Sequence, residues 1–420
     1  MMQTTHTRHL SSWAIPALYV AAAVVAGLVV PRVESQLLPG FQAGWSASAT
    51  VAIFSAIASG MISMTGIVFA LAFLMVQFSA TAYSPRLVQW LARNPLLWHA
   101  VGVFSATFIY ALAAIGWVER SGSTGAPFFS SWIVIALLLT SVGMFIALID
   151  KLSLLQLNRT LAFTADHGRR VIEEMYPLLT ADNETWEPVV LDAPVAKTLR
   201  HWGRPSAVQA MNIGALLEIA RAADVVLAVT TAAGDTLVDG TPMVRVHGAG
   251  HVDERALRKA FSLGDERTFE QDPKYALRLL VDIAIRALSP AINDPTTAVQ
   301  ALDQIEDLLL RIGRRQLDLG TIRDGGGALR VVVPFPTWDD FLMLAFDEIR
   351  FCGATSVQVM RRMRALTADL LEALPSERHA ALSRYKRRLE ATIAHAFADD
   401  EDKKDASIED RQGLGIPRDR

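Results

Sequence analysis

Charge is almost absent from the first 150 residues of this 420-residue chain. Only Arg8, Arg32, Glu34, Arg86, Arg93, Glu119, Arg120 and Asp150 occur there, and no lysine precedes Lys151. The later part carries all the remaining Asp, Glu, Lys and Arg. Inside bilayer hydrocarbon a peptide group finds no water, so an apolar run of about 20 residues must close its hydrogen bonds internally as a helix. Four runs lack Asp, Glu, Lys and Arg: 9–31, 35–85, 94–118 and 121–149. They predict spans near 13–30, 49–78, 96–118 and 131–149. The second run is too long for one crossing and too short for two with a turn. One long helix is expected there. At about 1.5 Å per residue it exceeds a ~30 Å core and must tilt, kink or protrude. Trp13, Trp45, Trp98, Trp117 and Trp132 fall near span ends, where indole rings favour the interface.

The run from Trp13 to Val30 is longer than the apolar part of a secretory signal, and Pro31-Arg32-Val33-Glu34 is no small-residue cleavage site, so it reads as a first span. With the N-terminus inside, the cytoplasmic face receives Arg8, Arg86, Arg93, Lys151, Arg159, Arg169 and Arg170, and the outer face only Arg32 and Arg120. That asymmetry predicts a bacterial inner-membrane protein with the N-terminus and the C-terminal domain in the cytoplasm. The lone cysteine, Cys352, forms no internal disulfide and suits a reducing compartment. A net charge of −3 leaves no cationic excess for nucleic acid, so the bilayer is the expected partner.

The second span is unusual. Ala52, Ser55, Ser59, Ser63, Gly66, Ala70 and Gln77 recur at three- and four-residue spacing and form one small, weakly polar face. Two readings fit. Small residues let helices pack closely, or they line a narrow aqueous pore built from one such helix per subunit of a homo-oligomer that passes a small ion. No ionisable residue lies mid-span, which argues against a carrier that uses a buried carboxylate. Ser84 and Pro85 then start a short interfacial helix ended by Pro95. Its Arg86 and Arg93 either bind lipid phosphates or ring a pore mouth. His99 reads as an interfacial residue of the next span.

Residues 151–182 read as a helical stalk continuing the fourth span. Residues 183–250 read as a small β module, with strand candidates at Val189–Leu191, Val208–Ile213, Val225–Thr230 and Met243–Val246. The segment Ala233–Val246 is similar to a half-repeat of the biotinyl and lipoyl barrel-sandwich fold. The nearby Lys197 stands in an unmatched context, so no cofactor is expected. His247-Gly-Ala-Gly-His251 has a metal-like spacing, but its glycines disfavour the helix that would bring the rings together, and zinc needs more ligands. No metal is expected. Residues 251–398 form a helical domain, with helices near 253–262, 273–288, 295–313, 338–351, 355–374 and 376–398, and a strand candidate at Ala328–Pro334. Asp272-Pro273 and Asp294-Pro295 each pair a capping Asp with a first-turn proline. The joint carrying Ser289, Asn293, Asp294, Thr296 and Thr297 is therefore a helix cap, or a site for an anion or partner. Residues 399–420 are charged and expected to be disordered.

Three stretches carry a family resemblance: Tyr83-Ser84-Pro85-Arg86-Leu87, the Gly234-Asp235 to Pro242 segment, and Leu279 to Thr297 with its Ala-Leu-Ser-Pro-Ala-Ile-Asn-Asp-Pro-Thr core. With these the chain resembles a bacterial family of predicted membrane proteins, domain of unknown function 2254. The resemblance implies four amino-terminal spans and a cytoplasmic domain, and supplies no catalytic residues.

The fold class expected is a membrane protein, a four-helix transmembrane domain (1–150) followed by a cytoplasmic α+β domain that is mostly helical. The leading function is an oligomeric gated ion channel or pore with a cytoplasmic regulatory domain. The alternative is a membrane-anchored scaffold or sensor that binds a cytosolic partner without transport. There is no P-loop, dinucleotide glycine pattern, nucleophile elbow or zinc set, so no enzyme is expected.

Overall fold

In a computed structural model, residues 13–37, 42–82, 95–121, 125–152, 157–179, 191 and 193–416 are described. The chain divides into two compact units, Met1–Gln156 and Leu157–Arg420.

The first unit is built on α1 (Ala14–Leu37), α2 (Ala47–Ala82), α3 (Pro95–Ser121) and α4 (Phe128–Leu152). Each contains a window long and apolar enough to span a membrane. Over half of the α3 window is buried, against 17–22% for the others, so α3 is the hub around which the rest pack. Small residues make that possible. A Cβ on Gly27 would meet Ala113 at 2.6 Å, and one on Gly102 would meet Tyr19 at the same distance. The buried core joins Phe54, Met61, Phe104, Tyr110 and Val134. Between α3 and α4, Thr107 and Ser141 are fully buried and their hydroxyls lie 3.0 Å apart. In hydrocarbon such a pair satisfies polar groups that have no water to turn to.

Helix directions follow from the contacts. Tyr19 and His99, each near the start of its helix, are hydrogen-bonded at 3.2 Å, so α1 and α3 run alike. Glu34, near the end of α1, reaches the start of α4. Between these ends β1 (Gln42–Ser46) pairs antiparallel with β2 (Gly125–Pro127). The helices therefore alternate in direction. Large apolar side chains such as Leu18, Leu28, Ile62, Phe69, Phe73, Leu139 and Ile146 stay exposed around the unit. In water so broad an apolar surface would aggregate, whereas lipid covers it at no cost.

Apart from Trp13, which precedes α1, the spans expected from sequence lie inside these helices, each of which runs farther toward its C-terminal end. Helix α1 continues past Pro31, which lies within it, and α2 has 36 residues.

The second unit combines sheets with a helical bundle. Its strands are β3 (Val195–Arg200), β4 (Ser206–Met211), β5 (Val226–Val229), β6 (Thr236–Leu237), β7 (Pro242–His247), β8 (Phe261–Gly264), β9 (Thr321–Arg323) and β10 (Leu329–Val332). They form a five-stranded sheet in the order β3-β7-β5-β10-β9 and a three-stranded sheet in the order β6-β4-β8. Among the described strands of this unit, only the β5–β10 pairing is parallel. The long connection between β5 and β10 contains two whole bundle helices, Pro273–Ala287 and Pro295–Gly313, and a parallel neighbour requires such a crossover. The β core gathers Leu216, Leu227, Leu237, Val244 and Val331. Burying each such aliphatic side chain contributes about 1.5–3 kcal/mol.

The helices are α5 (Leu157–Met175), α6 (Ile213–Ala223), α7 (Glu254–Lys259), α8 (Pro273–Ala287), α9 (Pro295–Gly313), α10 (Trp338–Cys352), α11 (Val357–Ala373), α12 (His379–Ala396) and α13 (Asp400–Ala406). The bundle buries Leu279, Leu280, Ile283, Ile305, Leu309, Phe341, Leu342 and Leu366. Within it Arg362, 3% exposed, joins α11 to α9 through Asp303 at 2.9 Å and Glu306 at 2.5 Å.

Three expectations are corrected. The stalk is not a free helix: α5 buries Leu161, Ala165 and Ile172 in the second unit, and a Cβ on Gly168 would lie 2.8 Å from Ala276 and 3.0 Å from Leu308. An isolated stalk would leave that apolar face wet. The β module is not all β, because α6 runs from Ile213 and its N-cap Asn212 accepts a hydrogen bond from Ala215 N. The strands also extend beyond it, to β8 and β9 as well as to β10, which falls on the strand expected at Ala328–Pro334. The tail is ordered to Ile416: Arg411 donates to both oxygens of Asp369 at 3.0 and 2.9 Å, and the Asp410 carboxylate accepts from the N–H groups of Gln412, Gly415 and Ile416. Val189 and Val190, of the strand candidate Val189–Leu191, lie outside the described residues, and Leu191 is in no strand.

Candidate functional site

Ala52, Ser55, Ser59, Ser63, Gly66 and Ala70 are all exposed on α2. The same helix buries Thr50, Phe54, Ile57, Ala58, Met61 and Val68. At about 100° per residue the two sets lie on opposite sides of the helix. The bundle thus packs α2 by its bulky side and leaves the small, weakly polar side outward. Ser63 Oγ donates to Ser59 O at 3.2 Å, which partly satisfies that hydroxyl within its own helix. Gln77 belongs to α2, but its side chain lies outside the described residues, as do Arg86 and Arg93.

The Ser289–Thr297 joint has cap geometry. Asp294 Oδ1 accepts from Thr297 N at 3.1 Å and Oδ2 from Thr297 Oγ1 at 2.5 Å. Ser289 O accepts from Asn293 N at 2.9 Å, and Asn293 takes the left-handed conformation, φ 48°. Thr296 is exposed beside them. Lys197 pairs with Glu254 at 2.7 Å. His247 Nδ1 donates to Ala193 O at 2.7 Å, and among the described residues no cluster of three or more His, Cys, Asp or Glu is spaced to hold a metal ion.

Glu34 escaped the sequence reading, which placed it beyond the first span. It lies inside α1 and is 6% exposed. Its carboxylate accepts from Phe129 N at 2.8 Å, Ser130 N at 3.2 Å and Ser130 Oγ at 3.1 Å. It therefore caps the start of α4 from another helix, where anions are favoured by the unpaired N–H groups.

A second unforeseen feature is a cleft of about 190 Å³ in the second unit. Its apolar wall includes Met175, Met211, Ile213, Val333 and Phe335, and its polar side includes Asp272 and Lys274. Asp272 occupies the N-cap position of α8 with Pro273 after it, as the sequence pattern predicts, but its side chain caps nothing. Instead Oδ2 accepts from Arg267 Nη2 at 2.7 Å and Nε at 3.0 Å. The Asp272 side chain is 1% exposed, and its Oδ1 has no hydrogen-bond partner. Burial pushes this carboxyl above its ordinary range, against the pull of Arg267 and Lys274. Burial, and then the charge of Asp272, likewise push the Tyr176 phenol upward. The Tyr176 hydroxyl is also buried without a partner.

Gly234 makes room for the Asp272–Arg267 pair. Its φ is +88°, and a Cβ there would overlap Asp272 Oδ2 and come within 2.8 Å of Arg267 Nη2. The turn at Gly234 is tied to β4 by Gly234 N donating to Val208 O at 2.8 Å. Two segments far apart in the chain thus meet at one buried carboxylate. The profile of a predicted-membrane-protein family, domain of unknown function 2254, matches residues 9–369. The chain belongs to this family of predicted membrane proteins. Its matched region in the domain 2254 family takes in all four spans, the sheets and the cleft, and ends inside α11. An uncharacterised protein of Mycobacterium bovis and one of Mycobacterium tuberculosis are each 26% identical over 408 residues, covering 93% of this chain and 78% of theirs. No solved structure matches this domain 2254 chain.

Proposed function

We propose that the protein is an oligomeric gated channel in the bacterial inner membrane, with α2 of each subunit lining a pore for a small ion and the second unit regulating it from the cytoplasm. The observation that carries this reading is the outward stripe of Ser55, Ser59, Ser63 and Gly66, on the side of α2 opposite its packed face. From Ala52 to Ala70 the stripe extends for about 27 Å, close to the ~30 Å of a hydrocarbon core. Lipid gains nothing from serine hydroxyls, whereas a water-filled axis among subunits hydrates them. The asymmetry of arginine and lysine between the loops favours the N-terminus and the second unit on the cytoplasmic side.

Purified protein of verified subunit number in planar bilayers tests the proposal. Conductance is expected, and Ser59→Leu or Ser63→Leu should abolish it without changing subunit number. Silence of the wild type across voltage, salt and pH, or currents indifferent to both leucines, overturns it. A second reading, a membrane-anchored sensor without transport, is favoured by the cleft at Asp272. It predicts ligand binding with no current.

A further inference from the structure

We propose that the cleft lined by Met175, Met211 and Phe335 binds a small uncharged aromatic molecule, of benzene to indole size. Its walls are apolar, and the polar groups beside them are already engaged.

Met175, Met211, Ile213, Val333 and Phe335 supply the apolar wall. Three polar residues share the lining: Gln271, Asp272 and Lys274. The Gln271 amide gives both ends to one backbone residue, accepting from Met211 N at 2.9 Å and donating to Met211 O at 3.2 Å. The Asp272 side chain is 1% exposed and Arg267 holds its Oδ2, so the carboxylate is closed to an incoming donor. Lys274 is half-buried, and a lysine can lay its stem on an apolar wall while its ammonium stays in water. A charged ligand would lose its hydration here, with no buried counter-group left to receive it among the described lining residues. An uncharged apolar ligand escapes that cost. A volume of about 190 Å³ exceeds the ~150 Å³ of an apolar cavity that stays dry and takes benzene. The preference for an aromatic body comes from the two thioethers and the Phe335 ring, because sulfur at a ring edge and edge-on or offset rings attract beyond their burial.

The cleft is also held in place. Pro334 and Pro336 flank Phe335, and proline fixes φ. The Phe335 ring meets Tyr176 edge-on, with centroids 6.1 Å apart. Gln271 sits at φ 52°, and a left-handed backbone at a residue with a Cβ persists where the surroundings over-determine it. The site is therefore formed before a ligand arrives, which lowers the ordering cost of binding.

The proposal does not rest on the channel reading, because its readout is binding and not current. The full chain in phosphatidylcholine nanodiscs would be titrated with 5-fluoroindole and followed by fluorine NMR, with empty nanodiscs giving the partition into lipid. A saturable component above that partition is expected. Indole and toluene should displace it, while benzoate and benzylamine at roughly tenfold higher concentration should not. Ala232→Leu, which fills the cleft, should remove the saturable component while the thermal melt is retained. Met175→Ala, which strips a half-buried wall, should weaken binding several-fold and decides the matter if the leucine variant misfolds. Partition into lipid alone in the wild type, displacement by benzoate or benzylamine as effective as that by indole, saturable binding that survives a folded Ala232→Leu, or unchanged affinity in Met175→Ala each overturns the proposal.

Discussion

Gly234→Ala tests the architecture around the buried carboxylate, because a second glycine supplies its control. Gly234 has φ +88° and Gly240 has φ +82°, so an alanine at either strains the backbone similarly. That strain costs roughly 1–2 kcal/mol. Around Gly240 a Cβ meets nothing within 4 Å, whereas at Gly234 it collides with Asp272 and Arg267. Removing one partner of a buried ion pair costs about 3–5 kcal/mol. Here the pair is displaced rather than deleted, and Arg267 is 27% exposed, so about 2 kcal/mol is the appropriate share. Gly234→Ala should therefore cost about 3–4 kcal/mol and Gly240→Ala about 1–2 kcal/mol. Native-state hydrogen exchange on β4 reads the difference, since Val208 N donates to Asp235 O at 2.9 Å beside this turn. A gap of about 2 kcal/mol is a roughly 30-fold loss of protection. In an Asp272→Ala background the excess at Gly234 should vanish, a coupling of about 2 kcal/mol. Equal losses at the two glycines, or an excess that persists without Asp272, would refute the reasoning.

Glu34→Ala should lower the thermal stability of the detergent-solubilised chain by about 2 kcal/mol, and Glu34→Gln by roughly half, because charge-assisted bonds to a helix start are lost or weakened; an unchanged melt would remove the capping role. Arg411→Ala should free the C-terminal segment at a cost of about 1 kcal/mol, seen as faster proteolysis beyond Asp399, whereas unaltered cleavage would mean that the Asp369 contact does not hold it. The Asp272 carboxyl, facing Arg267, Lys274 and Tyr176, is raised above its ordinary range by burial. A raised carboxyl contributes stability that is fully present below its unfolded value, about 3.9, and is lost as pH climbs through the higher native value. Wild type should therefore lose stability relative to Asp272→Asn from about pH 4 upward and then level off in pH-dependent melts; the opposite slope would contradict the assignment.

Local patterns made some elements legible and hid others. Asp294-Pro295 and Asp272-Pro273 look alike in sequence, and both aspartates do precede helices. Asp294 bonds the N–H of Thr297, while Asp272 turns to Arg267. The available hint was Arg267 five positions earlier, but spacing alone does not reveal that Gly234, more than thirty residues away in sequence, clears the space for that pair. Strands β8 and β9 went unread for a similar reason. Phe-Ser-Leu-Gly and Thr-Ile-Arg are too short for a period-2 pattern, and they become strands through partners in β4 and β10. Glu34 was visible as a charge near a span end, but its partners lie in another helix.

The four apolar runs by themselves determined that each holds a helix long and apolar enough to cross a membrane, because hydrocarbon imposes that solution on any charge-free segment long enough to cross it. The positions of most bundle helices were equally local, set by apolar periodicity and by Asp-Pro starts. Tertiary structure decided which side of α2 is packed and which faces outward, that 157–175 docks rather than projects, and that one aspartate caps a helix while its twin lies buried with an unpaired oxygen. Those outcomes depend on which distant surfaces meet, and burial costs are settled by neighbours in space rather than in sequence.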